Sequence, residues 1–142
     1  MYYQKIVLIL LLYDGKIPVG DFMIKRIVIA GCRDFNDYKE AKEYIDFCIS
    51  NIRKANKIII ISGGASGADA LGERYAKENG FKIERYPAEW EKYGRSAGPK
   101  RNEIMAKICD YVICFWDGKS RGTKSMIEYA KKYGKPIRIK QI

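Results

Sequence analysis

The chain has 142 residues, enough for one domain with its own hydrophobic core and too few for two. It has no histidine, and its four cysteines, Cys32, Cys48, Cys109 and Cys114, form no C-x-x-C pair, which excludes a Cys/His zinc site, a histidine-based nucleophile pair and most transition-metal chemistry. Net charge is +10; from Lys100 onward eleven Lys and Arg face four acids, so +7 lies in the last third and points to an anionic partner, either a phosphorylated small molecule or nucleic acid.

Ile6 to Leu12 is an apolar run of seven, too short to span a bilayer, and the single Lys5 before it and the lack of a small-x-small cleavage site after it argue against export. A cytoplasmic location with no membrane partner is therefore expected. Asp14-Gly15 and Pro18 then break the chain, and a fresh strand pattern starts at Met23. Met23 is read as the natural start, with residues 1–22 as an extension; an added edge strand is the alternative.

From there strands and helices alternate. Ile27 to Ala30 reads as a buried parallel strand ending in Gly31. Asp37 caps a helix whose apolar positions Tyr38, Ala41, Ile45, Cys48 and Ile52 recur every three or four residues. Ile58 to Ile61 is a second buried strand, running into Ser62-Gly63-Gly64-Ala65-Ser66-Gly67 and a helix that carries Ala68, Leu71 and Tyr75 on one face until Asn79-Gly80. Phe81 to Tyr86 alternates apolar and charged residues and belongs nearer an edge. Pro87 to Gly98 reads as an irregular loop, Pro99 as the first residue of a helix through Cys109, and Tyr111 to Trp116 as a third buried strand. A last helix from about Thr123 to Tyr133 and a closing strand from Ile137 to Ile142 complete the series. The order predicts a single α/β domain over 23–142, a Rossmann-like, doubly wound, mostly parallel sheet with helices on both faces. Its ligands would bind outside the carboxyl ends of the strands.

Four strand-to-helix junctions meet at that edge. Gly31-Cys32-Arg33 offers a sharp turn and a guanidinium for an anion. Gly63-Gly64-Ala65-Ser66-Gly67-Ala68-Asp69 opens a strand into glycines just where a helix starts, an arrangement suited to phosphate, although the glycines also fit a plain need for close helix-strand packing. Pro99-Lys100-Arg101-Asn102 puts two cations in a first helical turn, against the helix dipole, which makes sense if an anion joins them. Ser120-Arg121-Gly122-Thr123 places hydroxyls and glycine at another helix start. Tyr86, Trp90, Tyr93 and Trp116 lie near these junctions, where they either stack on a base or cover the core. Gly118-Lys119-Ser120 imitates the end of a Walker A loop, but the glycine required five residues earlier is Ile113, and no G-x-G-x-x-G follows the first strand.

Taken in order, Gly31-x-Arg33-Asp34-Phe35, Gly63-Gly64-Ala65-x-Gly67-Ala68-Asp69, Pro87-Ala88-x-Trp90, Tyr93-Gly94, Ala97-Gly98-Pro99-x-Arg101-Asn102 and Phe115-Trp116-Asp117-Gly118-x-Ser120-x-Gly122-Thr123 resemble the SLOG superfamily, which groups DprA (Smf) with the LOG phosphoribohydrolases, and within it the compact YspA-type, cpYpsA-related branch. The resemblance covers about residues 24–140. It implies a Rossmann-like domain whose glycine loop, arginines and Ser-x-Gly-Thr turn hold a nucleotide or nucleotide-derived signal, with Gly31, Arg33, Gly63, Gly64, Ala65, Gly67, Asp69, Arg101, Asn102, Ser120, Gly122 and Thr123 as the ligand-binding set. LOG enzymes carry Gly-Thr-x-x-Glu; here Gly122-Thr123 leads to Met126, and Glu128 lies two positions further along the helix on a different face, which puts LOG-type hydrolysis in doubt.

Three functions compete. The first is a nucleotide-sensing or nucleotide-processing module, the second a hydrolase using Asp69, Asp117 or Glu128 as acid-base group, and the third a DprA-like single-strand DNA binder motivated by the basic last third. No metal and no cofactor is expected. Homo-oligomerisation is left open, since LOG relatives form dimers.

Overall fold

A computed structural model describes residues 23–142, so the expectations for residues 1–22 lie outside the described residues. The elements follow in the order β1 (Met23–Gly31), α1 (Tyr38–Ala55), β2 (Asn56–Ser62), α2 (Ala68–Glu78), β3 (Lys82–Arg85), α3 (Trp90–Tyr93), a 3-10 turn (Gly94–Ser96), α4 (Ala97–Ile108), β4 (Tyr111–Trp116), α5 (Arg121–Lys132) and β5 (Ile137–Gln141). All strand pairs are parallel and the sheet order is β3-β2-β1-β4-β5. The chain order therefore reverses between β1 and β4, and a crevice opens there beyond the strand ends.

The period-two alternation of the central strands feeds two cores. Ile27, Ile29, Ile113 and Phe115 face α1 and α2, meeting Ile45, Ile49 and Tyr75. Val28, Ala30, Val112 and Cys114 face α4 and α5, meeting Met105, Met126, Ile127 and Ala130. Each fully buried Ile contributes roughly 1.5–3 kcal/mol, so the β-branched runs of β1 and β2 hold both layers together. Close packing also sets the glycines of this layer: a Cβ on Gly72 of α2 would stand 2.7 Å from Ile29 Cγ2. The three-layer architecture is the α/β, doubly wound arrangement that the alternation predicts.

Several boundaries differ from the sequence reading. β1 starts four residues before Ile27, because Met23 to Arg26 pair with β2 below the point where β4 begins. The expected loop 87–98 is largely helical. Glu89 O accepts from Lys92 N and Tyr93 N, and the 3-10 turn runs straight into α4, which starts at Ala97 rather than Pro99. Its side chains are mostly exposed, so no apolar period announces those turns. α5 starts at Arg121 because Ser120 caps it, with Thr123 N donating to Ser120 Oγ. The segment placed nearer an edge, Phe81 to Tyr86, forms the edge strand β3, and the closing strand β5 forms the other edge. The described cysteines are free thiols, and no described helix is long and apolar enough to cross a membrane.

Candidate functional site

The loop after β1 is held from both sides. Cys32 N donates to Phe115 O of β4 (3.0 Å), and Ala68 N at the start of α2 donates to Cys32 O (3.1 Å). Gly31 is required by this clamp, since a Cβ there would lie 2.3 Å from Phe115 O. Arg33 emerges from the clamp exposed. It lines a cleft of about 590 Å³ over the β1/β4 reversal point, together with Gly31 and Asp34. Burial pushes the Cys32 thiol above its ordinary pKa, so it is a neutral wall residue.

The glycine loop after β2 does not form the open phosphate cradle that its sequence suggests. Gly64 N donates to Ser62 Oγ (3.0 Å) and Ala65 N to Asp69 Oδ2 (3.1 Å), so two of its amides already have acceptors inside the protein. Gly67, at φ 74°, is needed because a Cβ would come within 2.3 Å of Cys32 O. Gly63 makes room for Arg101, whose Nη1 would lie 2.3 Å from an added Cβ. Of the residues expected here, Ala65 and Asp69 line the cleft. Gly63, Gly64 and Gly67 do not, and Gly64 instead lines a second, shallower groove of about 480 Å³ with Glu73, Arg74, Lys77 and Arg85. Ala65 borders both.

Arg101 and Asn102, in the first turns of α4, are struts as well as cleft residues. Arg101 Nη1 donates to Gly63 O (2.6 Å) and Tyr86 O (3.4 Å), and its Nε donates to Asn102 Oδ1 (2.9 Å). Asn102 Nδ2 reaches across to Gly122 O (3.2 Å) and Ser125 Oγ (3.4 Å) of α5. Burial lowers the Arg101 pKa against the opposing pull of Asp69, yet an Arg stays charged at any physiological pH. The same burial raises the Asp69 pKa, opposed by the Ala65 N–H and by Arg101.

The turn from β4 to α5 completes the rim. Asp117 Oδ1 accepts from Lys119 N and Ser120 N, both at 2.8 Å, and these two bonds hold its carboxyl below the usual range. Trp116 Nε1 donates to Ser120 O (3.1 Å), and Ser120 Oγ lies 3.1 Å from Thr123 Oγ1. Thr123 is buried behind this cap. Gly122 is different: it lines the cleft, and an added Cβ would meet nothing within 4 Å. A glycine in a first helical turn costs stability relative to Ala, and no protein contact here requires it, so an open approach to the backbone of α5 remains as its use.

The cleft lining outside the sequence-derived set includes Arg95, Arg121 and Trp90. Arg95 sits on the 3-10 turn, Arg121 stands between Ser120 and Gly122, and Trp90 is half exposed with its ring edge 3.3 Å from the position of a Gly98 Cβ. Arg121 was legible as part of the Ser120–Thr123 junction; Arg95 had no signal beyond its charge. With Arg33 and Arg101 they give four arginines against Asp34, Asp69 and Asp117. Met126 is buried in the core, and Glu128 is exposed and paired with Lys124 at 3.9 Å, away from the cleft lining. No cluster of His, Cys, Asp or Glu among the described residues is arranged to hold a metal ion.

Comparison with known proteins agrees with the fold. The chain is 30% identical over 120 residues to the Gene 61 protein of Mycobacterium phage D29, across 80% of this chain and 94% of that protein. Among solved structures it resembles DNA processing protein A (DprA) from Streptococcus pneumoniae, with TM-score 0.60 and 21% identity over 82% of this chain, and DprA from Helicobacter pylori, with TM-score 0.58 and 23% identity over 84%. It spans 50% and 66% of those two proteins, and at such identities the likeness establishes the fold. The YspA, cpYpsA-related SLOG family matches residues 25–93, from β1 through the glycine loop and Asp69 to α3. The chain belongs to the YspA, cpYpsA-related SLOG family.

Proposed function

We propose that this domain binds a nucleotide or nucleotide-derived anionic ligand in the cleft over the β1/β4 reversal point, as a sensing or processing module. The observation that carries the reading is the pairing of an arginine-rich cleft with the unobstructed first turn of α5 at Gly122. Arg33 and Arg121 supply exposed guanidinium groups, and the α5 N-terminus supplies backbone N–H groups and the positive end of its dipole. Trp90 at the rim offers a ring face for a base. A phosphate is better served here than at the glycine loop, two of whose amides are engaged by Ser62 and Asp69.

The test is a thermal-shift panel of mononucleotides, cyclic nucleotides and ADP-ribose species with Arg33→Ala and Arg121→Ala as controls. A shift for one class that both variants weaken is the expected result. A flat response across the panel would overturn the reading.

A second reading, single-stranded DNA binding, draws on the Helicobacter pylori neighbour, a DprA with a single-stranded DNA binding mode. It is also favoured by the groove with Arg74, Lys77 and Arg85 that continues from the cleft past Ala65. It requires affinity that falls steeply with salt. The hydrolase reading has less support, because the LOG carboxylate position is the buried Met126, and Asp69 and Asp117 are the remaining acid-base candidates in the cleft.

A further inference from the structure

The three cleft carboxylates are not equivalent. Asp34 is exposed to water, and Asp117 spends Oδ1 on two backbone N–H groups. Asp69 is 6% exposed, and its Oδ2 accepts from Ala65 N. Its Oδ1 accepts no hydrogen bond from a described residue, yet it is not sealed in. Asp69 Oδ1 is not among the fully buried side-chain oxygens left without a partner, so it keeps some exposure, and the opening that Asp69 lines is the cleft. A nearly buried carboxylate with one oxygen committed and one without a protein donor calls for a donor from any ligand that displaces water there, because a desolvated acceptor left without one costs free energy.

That requirement selects among ligand parts. A phosphate oxygen is an acceptor and carries negative charge, so it is repelled from this position and belongs with Arg33, Arg121 and the α5 turn. A sugar hydroxyl is a donor without charge. In a nucleotide the sugar lies between phosphate and base, and Asp69 lines the same cleft as the α5 turn and Trp90.

We infer that Asp69 Oδ1 is the acceptor for a ribose hydroxyl, so that the cleft selects ribonucleotide ligands over their deoxy counterparts. This rests on the reading of the cleft as a nucleotide site. It adds the sugar class, and it runs against DNA as the ligand of this cleft.

The experiment is calorimetric titration of the full chain with adenosine, guanosine, cytidine and uridine 5′-monophosphates, their 2′-deoxy counterparts and 3′-deoxyadenosine 5′-monophosphate. The Asp69→Asn variant is titrated in parallel. The asparagine can still accept from Ala65 N while presenting an amide donor to the cleft, so the loop is kept and the acceptor is lost. For at least one base the ribonucleotide is expected to bind about tenfold or more tightly than a deoxy form, the magnitude of a hydrogen bond to a charged acceptor, and the ratio should fall in Asp69→Asn, where only a weaker neutral bond from the amide to the hydroxyl oxygen is left. Equal affinity of ribo and deoxy forms for the unaltered protein would overturn the assignment while leaving the nucleotide site standing. Discrimination that survives unchanged in a folded Asp69→Asn variant would also overturn it. Absence of binding by every nucleotide would remove the site reading and the Asp69 role together.

Discussion

Arg101 Nη1 donates to Gly63 O at 2.6 Å, so one of the cations facing the cleft is also a strut between α4 and the glycine loop. Its Nη1 and Nε are committed to protein acceptors, which leaves Nη2 as the part turned to other work. Arg101→Ala should therefore lower stability by about 2 kcal/mol, through the unpaired Gly63 and Tyr86 carbonyls, as well as weaken ligand binding. Arg33→Ala and Arg121→Ala, both at exposed positions, should weaken binding with the urea midpoint nearly unchanged. Denaturation curves beside ligand titrations separate the two behaviours, and an Arg101 variant as stable as the parent would contradict the strut.

Gly67→Ala is expected to be severe. The residue has φ 74°, and its Cβ would press on Cys32 O at 2.3 Å and on the Arg33 carbonyl at 2.5 Å, all of it backbone with no side chain to swing away. A loss of about 2–4 kcal/mol should appear in equilibrium unfolding. Gly122→Ala provides the contrast: with open space around its Cβ it should hold or slightly raise stability while reducing affinity for an anionic ligand.

Ser120→Ala should remove the cap of α5. Thr123 N loses its acceptor and Thr123 Oγ1 its partner, at a cost of about 1 kcal/mol. Because that turn also forms the rim of the cleft, the ligand-induced thermal shift should shrink along with the melting temperature. Ser120→Asp, which restores a capping oxygen, should recover stability but not binding, since it adds negative charge beside the anion site.

The pH dependence has two opposing parts. Burial raises the Glu73 carboxyl, but hydrogen bonds from Arg85 (2.8 Å) and Ser62 (2.7 Å) outweigh it and hold its pKa below the usual value. The stability it contributes is complete above the unfolded glutamate pKa of about 4.3 and is lost as pH falls through the depressed folded value. Asp69 works with the opposite sign, because burial raises its folded pKa. Its contribution is present below the unfolded aspartate pKa of about 3.9 and is lost as pH rises through the raised value. Urea midpoints followed from acid to neutral pH should show Glu73→Gln flattening the acid limb. Asp69→Asn should gain relative to the parent as pH rises.

The amino-acid sequence by itself determined the layered α/β fold. Ile27 to Ala30, Ile58 to Ile61 and Tyr111 to Trp116 are β-branched or aromatic runs too short for helices and too apolar for an edge. The charged alternation of Phe81 to Tyr86 marked that segment as lying nearer an edge, whereas the sheet order put the closing strand at the other edge. The sequence also brought the right junctions to one end of the sheet, because parallel strands joined by right-handed crossovers must present every strand-to-helix turn at the same edge.

Tertiary structure decided what each junction does. Gly63, Gly64 and Gly67 read as a phosphate loop because glycine-rich turns before helices often are one. Whether such amides are free depends on how the Ser62 and Asp69 side chains of the same segment turn, and on Cys32 O, which comes from a different loop to accept from Ala68 N. Glycine content alone carries no information about those contacts. The same holds for Arg101, whose charge is visible in the sequence while its bond to Gly63, 38 residues away, exists only once α4 is packed against the sheet.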